Sequence, residues 1–172
     1  SMPMVNLGGG VSAMDCAMQS AVIDYMAARL EGIPSWIVMW GDDEPKVIAS
    51  PDMPLKTVGE NVETYRNGTG SGTSLRPGLE KMIGTAAEFK SPPGTISGSL
   101  HITVYSDGDI GDFTQTVSAL DIIATNAKNL SVDVAVLKQS GASQTRMEDA
   151  FETVIKRSGN RYVGMMRGSD PR

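Results

Sequence analysis

Strand-like and helix-like stretches take turns along almost the whole of this chain, and that alternation restricts its fold more than any other feature. Short β-rich apolar runs occur at Met2 to Leu7, Ser35 to Trp40, Lys46 to Ala49, around Ile102 and Val104, at Ser131 to Leu137 and at Tyr162 to Met165. Between most of them, apolar residues recur at three- and four-residue spacing. After Ser12, an expected N-cap, Met14, Cys16, Ala17, Met18, Ala21, Val22, Tyr25, Met26 and Leu30 follow a helical period that Gly32 and Pro34 close. A helix is expected from Ser74 or Leu75 to about Phe89, with Pro77 in the first turn, where proline is tolerated. Two more are expected at about Thr114 to Lys128 and at Met147 to Lys156.

Two strands break the alternation. Trp36-Ile37-Val38-Met39-Trp40 reads as a fully buried strand, Gly41-Asp42-Asp43-Glu44-Pro45 as a turn, and Lys46 to Ala49 as the returning strand of a hairpin. Pro51 to Gly72 is polar and rich in Pro and Gly, and reads as a loop around one short helix near Val58 to Tyr65. The order predicts an α/β fold: a doubly wound, mostly parallel sheet with one antiparallel edge strand, flanked by helices. At 172 residues the chain suits a single domain spanning 1–172.

The run from Ser99 to Asp112 carries the chemistry. A strand through Ile102 and Val104 stops at Ser106-Asp107-Gly108, Asp109, Gly111 and Asp112 follow, and a helical pattern begins after Phe113. In an open parallel sheet, ligands bind at the carboxyl ends of the strands. Asp107 is expected at that edge. Asp107-Gly108 reads equally as a plain turn, and Asp112 as a helix cap. Two other loops have the same relation to a strand end or helix start: Asn6-Leu7-Gly8-Gly9-Gly10 and Gly70-Ser71-Gly72-Thr73-Ser74.

These loops resemble the metal-ion-dependent adhesion site of the von Willebrand factor A domain family, which includes the integrin inserted domains. The third motif of that family, a strand ending in Thr-Asp-Gly, is similar to Ser106-Asp107-Gly108. Its second, a loop Thr shortly before a helical Gly, is similar to Thr73 ahead of Gly78. Its first, Asp-x-Ser-x-Ser, corresponds to Asn6-Leu7-Gly8-Gly9-Gly10, where the carboxylate has become an amide and both hydroxyls are lost. The resemblance covers nearly the whole chain. It implies a divalent cation, Mg²⁺ or Mn²⁺, held by Asp107 and Thr73 with the degenerate positions Asn6, Gly8 and Gly10. It also implies a protein partner that completes the cation's shell with an Asp or Glu side chain. Mg²⁺ takes about six oxygens, so the loss at the first motif weakens the expected site.

Other readings stand beside this one. The Gly8-Gly9-Gly10 turn could cradle a phosphate through backbone N–H groups, although it lacks the spacing of either Gly-rich nucleotide motif. Close packing of strand against helix explains the glycines more simply. His101 reads as a half-buried strand histidine, Cys16 as inert core, and Met14, Met18 and Met26 as core filler. Asp42-Asp43-Glu44 reads as a solvated turn, and Asp109 and Asp112 as acceptors behind a metal shell or as loop residues. With one Cys and one His there is no disulfide framework and no Cys- or His-rich metal site.

A net charge of −5 without a Lys/Arg cluster disfavours nucleic acid as a partner. No apolar run approaches the roughly 20 residues of a membrane span, and no signal peptide is visible, so an intracellular, cytoplasmic setting is expected. Ser1-Met2 reads as an expression scar on a domain excised from a longer chain. The function expected is protein–protein recognition through the loop face rather than catalysis, since no nucleophile–base pair is apparent. The alternatives are a metal-free scaffold domain of a larger intracellular or viral assembly, such as those paired with AAA-type ATPases, and a nucleotide-binding enzyme.

Overall fold

The computed structural model describes residues 12–41, 44–66, 74–89, 99–106, 110–126, 129–136, 149–150, 152–153 and 162–167. The chain is mixed α/β. In order the elements are α1 (Ala13–Leu30), β1 (Ile37–Met39), β2 (Lys46–Ala49), α2 (Leu55–Tyr65), α3 (Arg76–Phe89), β3 (Ser99–Ser106), α4 (Phe113–Asn126), β4 (Asn129–Val136) and β5 (Tyr162–Arg167). The expected first strand at 2–7 lies outside the described residues. Of the helix expected at 147–156, residues 149–150 and 152–153 are described, and they are helical.

Local signals account for the ends of α1. Ser12 has extended backbone, and its Oγ accepts the Asp15 N–H at 3.1 Å, as an N-cap does. At the other end Gly32 takes φ 73°. The Ile33 N–H then reaches the Ala28 carbonyl at 2.9 Å and the Gly32 N–H reaches Arg29 at 3.2 Å, the bond pair of a Schellman stop.

β1 and β2 pair antiparallel as the expected hairpin, but among the described residues they form a two-stranded sheet of their own rather than the edge of the parallel sheet. β3, β4 and β5 form a parallel sheet in that order, with Ser99 opposite Asn129 and Ser131 opposite Tyr162. Alternation along β3 separates two faces. Ile102 and Val104 are buried in a cluster with Leu75, just before α3, Leu79 of α3, and Val117, Leu120 and Ile123 of α4. Tyr105, on the opposite face, packs against Ala13, Cys16 and Ala17 of α1. Helices therefore cover both faces of β3. α1 also reaches the hairpin: Met14 and Met18 pack with Met39 and Ile48, and Tyr25 packs with Ala49 and with Val58 of α2. Cys16, Met14 and Met18 are thus core, as expected.

Three expectations need correction. The 36–40 run is not fully buried: only Met39 is buried in β1, and Ile37 and Val38 are half-buried. The short helix begins at Leu55 rather than near Val58. The Val58 N–H already bonds the Pro54 carbonyl at 3.1 Å, so the helix starts directly after the proline. His101 is exposed rather than half-buried, on the β3 face opposite Ile102; its Nε2 lies 3.4 Å from Thr103 Oγ1.

Candidate functional site

Asn6, Gly8, Gly10, Thr73 and Asp107, the five expected site positions, lie outside the described residues, as do Asp42, Asp43 and Asp109. Described residues near the three loops, from Ser12, Ser74 and Ile110 onward, make contacts that link the elements beside them.

Asp112 makes the main connection. Its Oδ1 accepts the Leu75 N–H and its Oδ2 the Arg76 N–H, both at 2.9 Å. Oδ1 also accepts the Thr116 hydroxyl at 3.1 Å, and the Asp112 carbonyl accepts the Thr116 N–H at 2.8 Å. The carbonyl opens α4, but the carboxylate caps α3. The N-terminal N–H groups of a helix have no partner within the helix, so a carboxylate there satisfies them and opposes the positive end of the helix dipole. Asp112 thus stands at the expected N-cap position of the following helix, and its side chain in addition serves the start of the preceding one. Thr116 is fully buried, so its hydroxyl needs the acceptor that Asp112 supplies.

Buried anchors bracket the segment that carries Asp107. Ser106 at the end of β3 is 1% exposed, and Ile110 is also 1% exposed. Leu75, two positions after Thr73, is buried in the same core as Ile110. The third connection runs to the start of α1, which follows Gly8 to Gly10. Arg66, at the end of α2, places Nη2 3.7 Å from Asp15 Oδ1, and Asp15 Oδ2 accepts the Ser12 hydroxyl at 3.0 Å. Residues 67–73 are therefore bounded by one contact to the start of α1 and another to the start of α4.

Arg76 is exposed and reaches Glu80 at 2.8 Å. This hydrogen bond, with the charge of Glu80 behind it, holds the guanidinium pKa above its ordinary value. Arg76 is a permanent positive charge beside Asp112. Both Asp112 oxygens accept bonds from protein donors. Among the described residues, no three His, Cys, Asp or Glu side chains converge as a metal group. The donor set expected in the loops is one carboxylate, one hydroxyl and one amide oxygen. Such a set fits a hard cation that keeps about half of its water.

Sequence reasoning named two residues that shape this region without finding what each one meets. Gly78 lies where an added Cβ would stand 2.6 Å from Trp40 Cβ, so its lack of a side chain lets α3 approach the end of β1. Asp112 was recognised as a cap, but no local pattern pointed to α3. No protein-family model matches the chain, and neither the curated proteins nor the solved structures contain a match to it. Among the described residues no helix is long and apolar enough to cross a membrane.

Proposed function

We propose that this chain is a protein-recognition module with a von Willebrand factor A-like, doubly wound sheet. Its binding face is formed by the loops at the carboxyl ends of the parallel strands. On this reading it is a binding module, not an enzyme. A divalent cation, Mg²⁺ or Mn²⁺, would be held by Asp107 and Thr73 with the Asn6 carbonyl, at the position that Gly8 and Gly10 leave open. The cation would present a directional positive charge to an Asp or Glu of the partner.

The observation that carries this reading is the bonding of Asp112 to Leu75 and Arg76. It joins the flank of the Thr73 segment to the flank of the Asp107 segment. The helices on both faces of β3 also favour the doubly wound arrangement, since that architecture covers a parallel sheet on both sides.

A second reading keeps the face and removes the metal. It is favoured by Asn6, Gly8 and Gly10, which stand where the family has a carboxylate and two hydroxyls. The chain is then a metal-free scaffold or assembly domain. Thermal unfolding with and without millimolar Mg²⁺ or Mn²⁺ separates the two, because an ion bound to the native state raises its stability by mass action. A saturable rise in Tm supports the cation-bridged face. No rise in the wild type, with a rise after Asn6→Asp, Gly8→Ser and Gly10→Ser together, supports the metal-free reading of the same face. No rise in either protein rejects the shared site.

A further inference from the structure

We propose that Asp112 is a positioning residue that locks the start of α3 to the start of α4, so that these two flanks of the loop face move as one body. An ordinary N-cap side chain spends its oxygen on its own helix. Here the carboxylate is spread over two helices. Two consecutive N–H groups of α3 take one oxygen each, and Thr116 of α4 shares Oδ1. A two-point bond of this kind sets orientation as well as distance, and bonds to an ionised acceptor are stronger than neutral ones. Behind it lie Leu75, Ile110 and Thr116, all essentially buried, which leave the carboxylate little room to shift. The opposite boundary of the 67–73 segment is held differently. The Arg66–Asp15 ion pair is longer, at 3.7 Å, and partly exposed, a type of contact that contributes little. The lock therefore belongs to the Asp112 side.

The use of this lock rests on the recognition-face reading: a partner meets one preorganised surface, and less ordering is required on binding. The lock itself is tested without cation or partner, so its failure and the failure of that reading are separate results.

The test is amide hydrogen exchange, resolved by residue, on the wild type and on Asp112→Ser. Serine remains a good N-cap for α4 but is too short to reach α3. In the variant, the Leu75 and Arg76 amides are expected to exchange on the order of tenfold to a hundredfold faster, as loss of a charge-assisted bond implies. Amides of 74–79 and 110–117 are expected to speed up together, with those of 37–49 unchanged. Unchanged exchange at Leu75 and Arg76, or a uniform increase along the chain, overturns the proposal. If the variant does not fold, the wild type decides: the lock requires Leu75 and Arg76 to be protected although both lie at a helix start, and exchange at the rate of an unprotected amide overturns it.

Discussion

The carboxylate of Asp112 accepts the backbone N–H of Leu75 from 37 positions earlier in the chain. This bond and its neighbour to Arg76 tie two helix starts together beside the end of β3. Replacing Asp112 by Ala removes both bonds and leaves the Thr116 hydroxyl buried without its acceptor. The expected loss is about 2 kcal/mol of unfolding free energy, read by urea titration. Thr116→Val deletes only the hydroxyl and is expected to cost about 1 kcal/mol. Equal losses in the two variants would mean that the bonds to α3 contribute nothing.

Gly78 and Gly84 offer a comparison within α3. An added Cβ at Gly78 meets Trp40 Cβ at 2.6 Å, and one at Gly84 meets nothing within 4 Å. Gly78→Ala forces α3 away from β1 and is expected to destabilise by about 1–3 kcal/mol. Gly84→Ala is expected to stabilise by about 0.4–1 kcal/mol through lower backbone entropy in the unfolded chain. Thermal unfolding of the two variants in parallel should show Tm shifts of opposite sign.

Tyr25 holds the segment between β2 and α2. It is 1% exposed; its hydroxyl donates to the Ser50 carbonyl at 2.8 Å and accepts from Arg29 Nη1 at 2.7 Å. Arg29 also reaches the Met53 carbonyl at 2.6 Å. Tyr25→Phe keeps the ring packing but removes one of two bonds to the Ser50 carbonyl, which also accepts the Met53 N–H at 3.3 Å, for an expected cost of about 1 kcal/mol. Faster proteolysis around 50–54 should accompany the loss, and unchanged cleavage would show that the hydroxyl does not anchor this segment.

The start of α1 provides a smaller effect. Ser12→Ala removes the oxygen that accepts the Asp15 N–H and is expected to cost about 1 kcal/mol in denaturant unfolding. Ser12→Thr should preserve most of the stability, since Thr also caps and keeps a hydroxyl for Asp15 Oδ2.

Much of the architecture was legible in the sequence because its signals act over a few residues. The helical period from Met14 to Leu30, the Ser12 cap and the Gly32 stop need only neighbours within a turn or two. The same holds for the hairpin and for the strand ending at Ser106. His101 could not be placed by period alone: alternation shows which strand residues share a face, but not how far along the strand a covering helix reaches. The candidate loops were proposed from residue type, and the described residues next to two of them, Leu75 and Arg76 on one side and Asp112 on the other, are bonded together.

Sequence by itself determined the kind and order of the described elements, the caps of α1 and the apolar stripes of the helices, since each follows from local backbone sterics and from period. Tertiary structure decided that the Asp112 carboxylate also reaches the start of α3, why position 78 has no side chain, and where the Tyr25 hydroxyl finds its acceptor. Each of these depends on groups far apart along the chain, and no local preference specifies their separation. Packing of α1, α3 and α4 about β3 sets those distances, because close-packed side chains leave few relative positions for the elements.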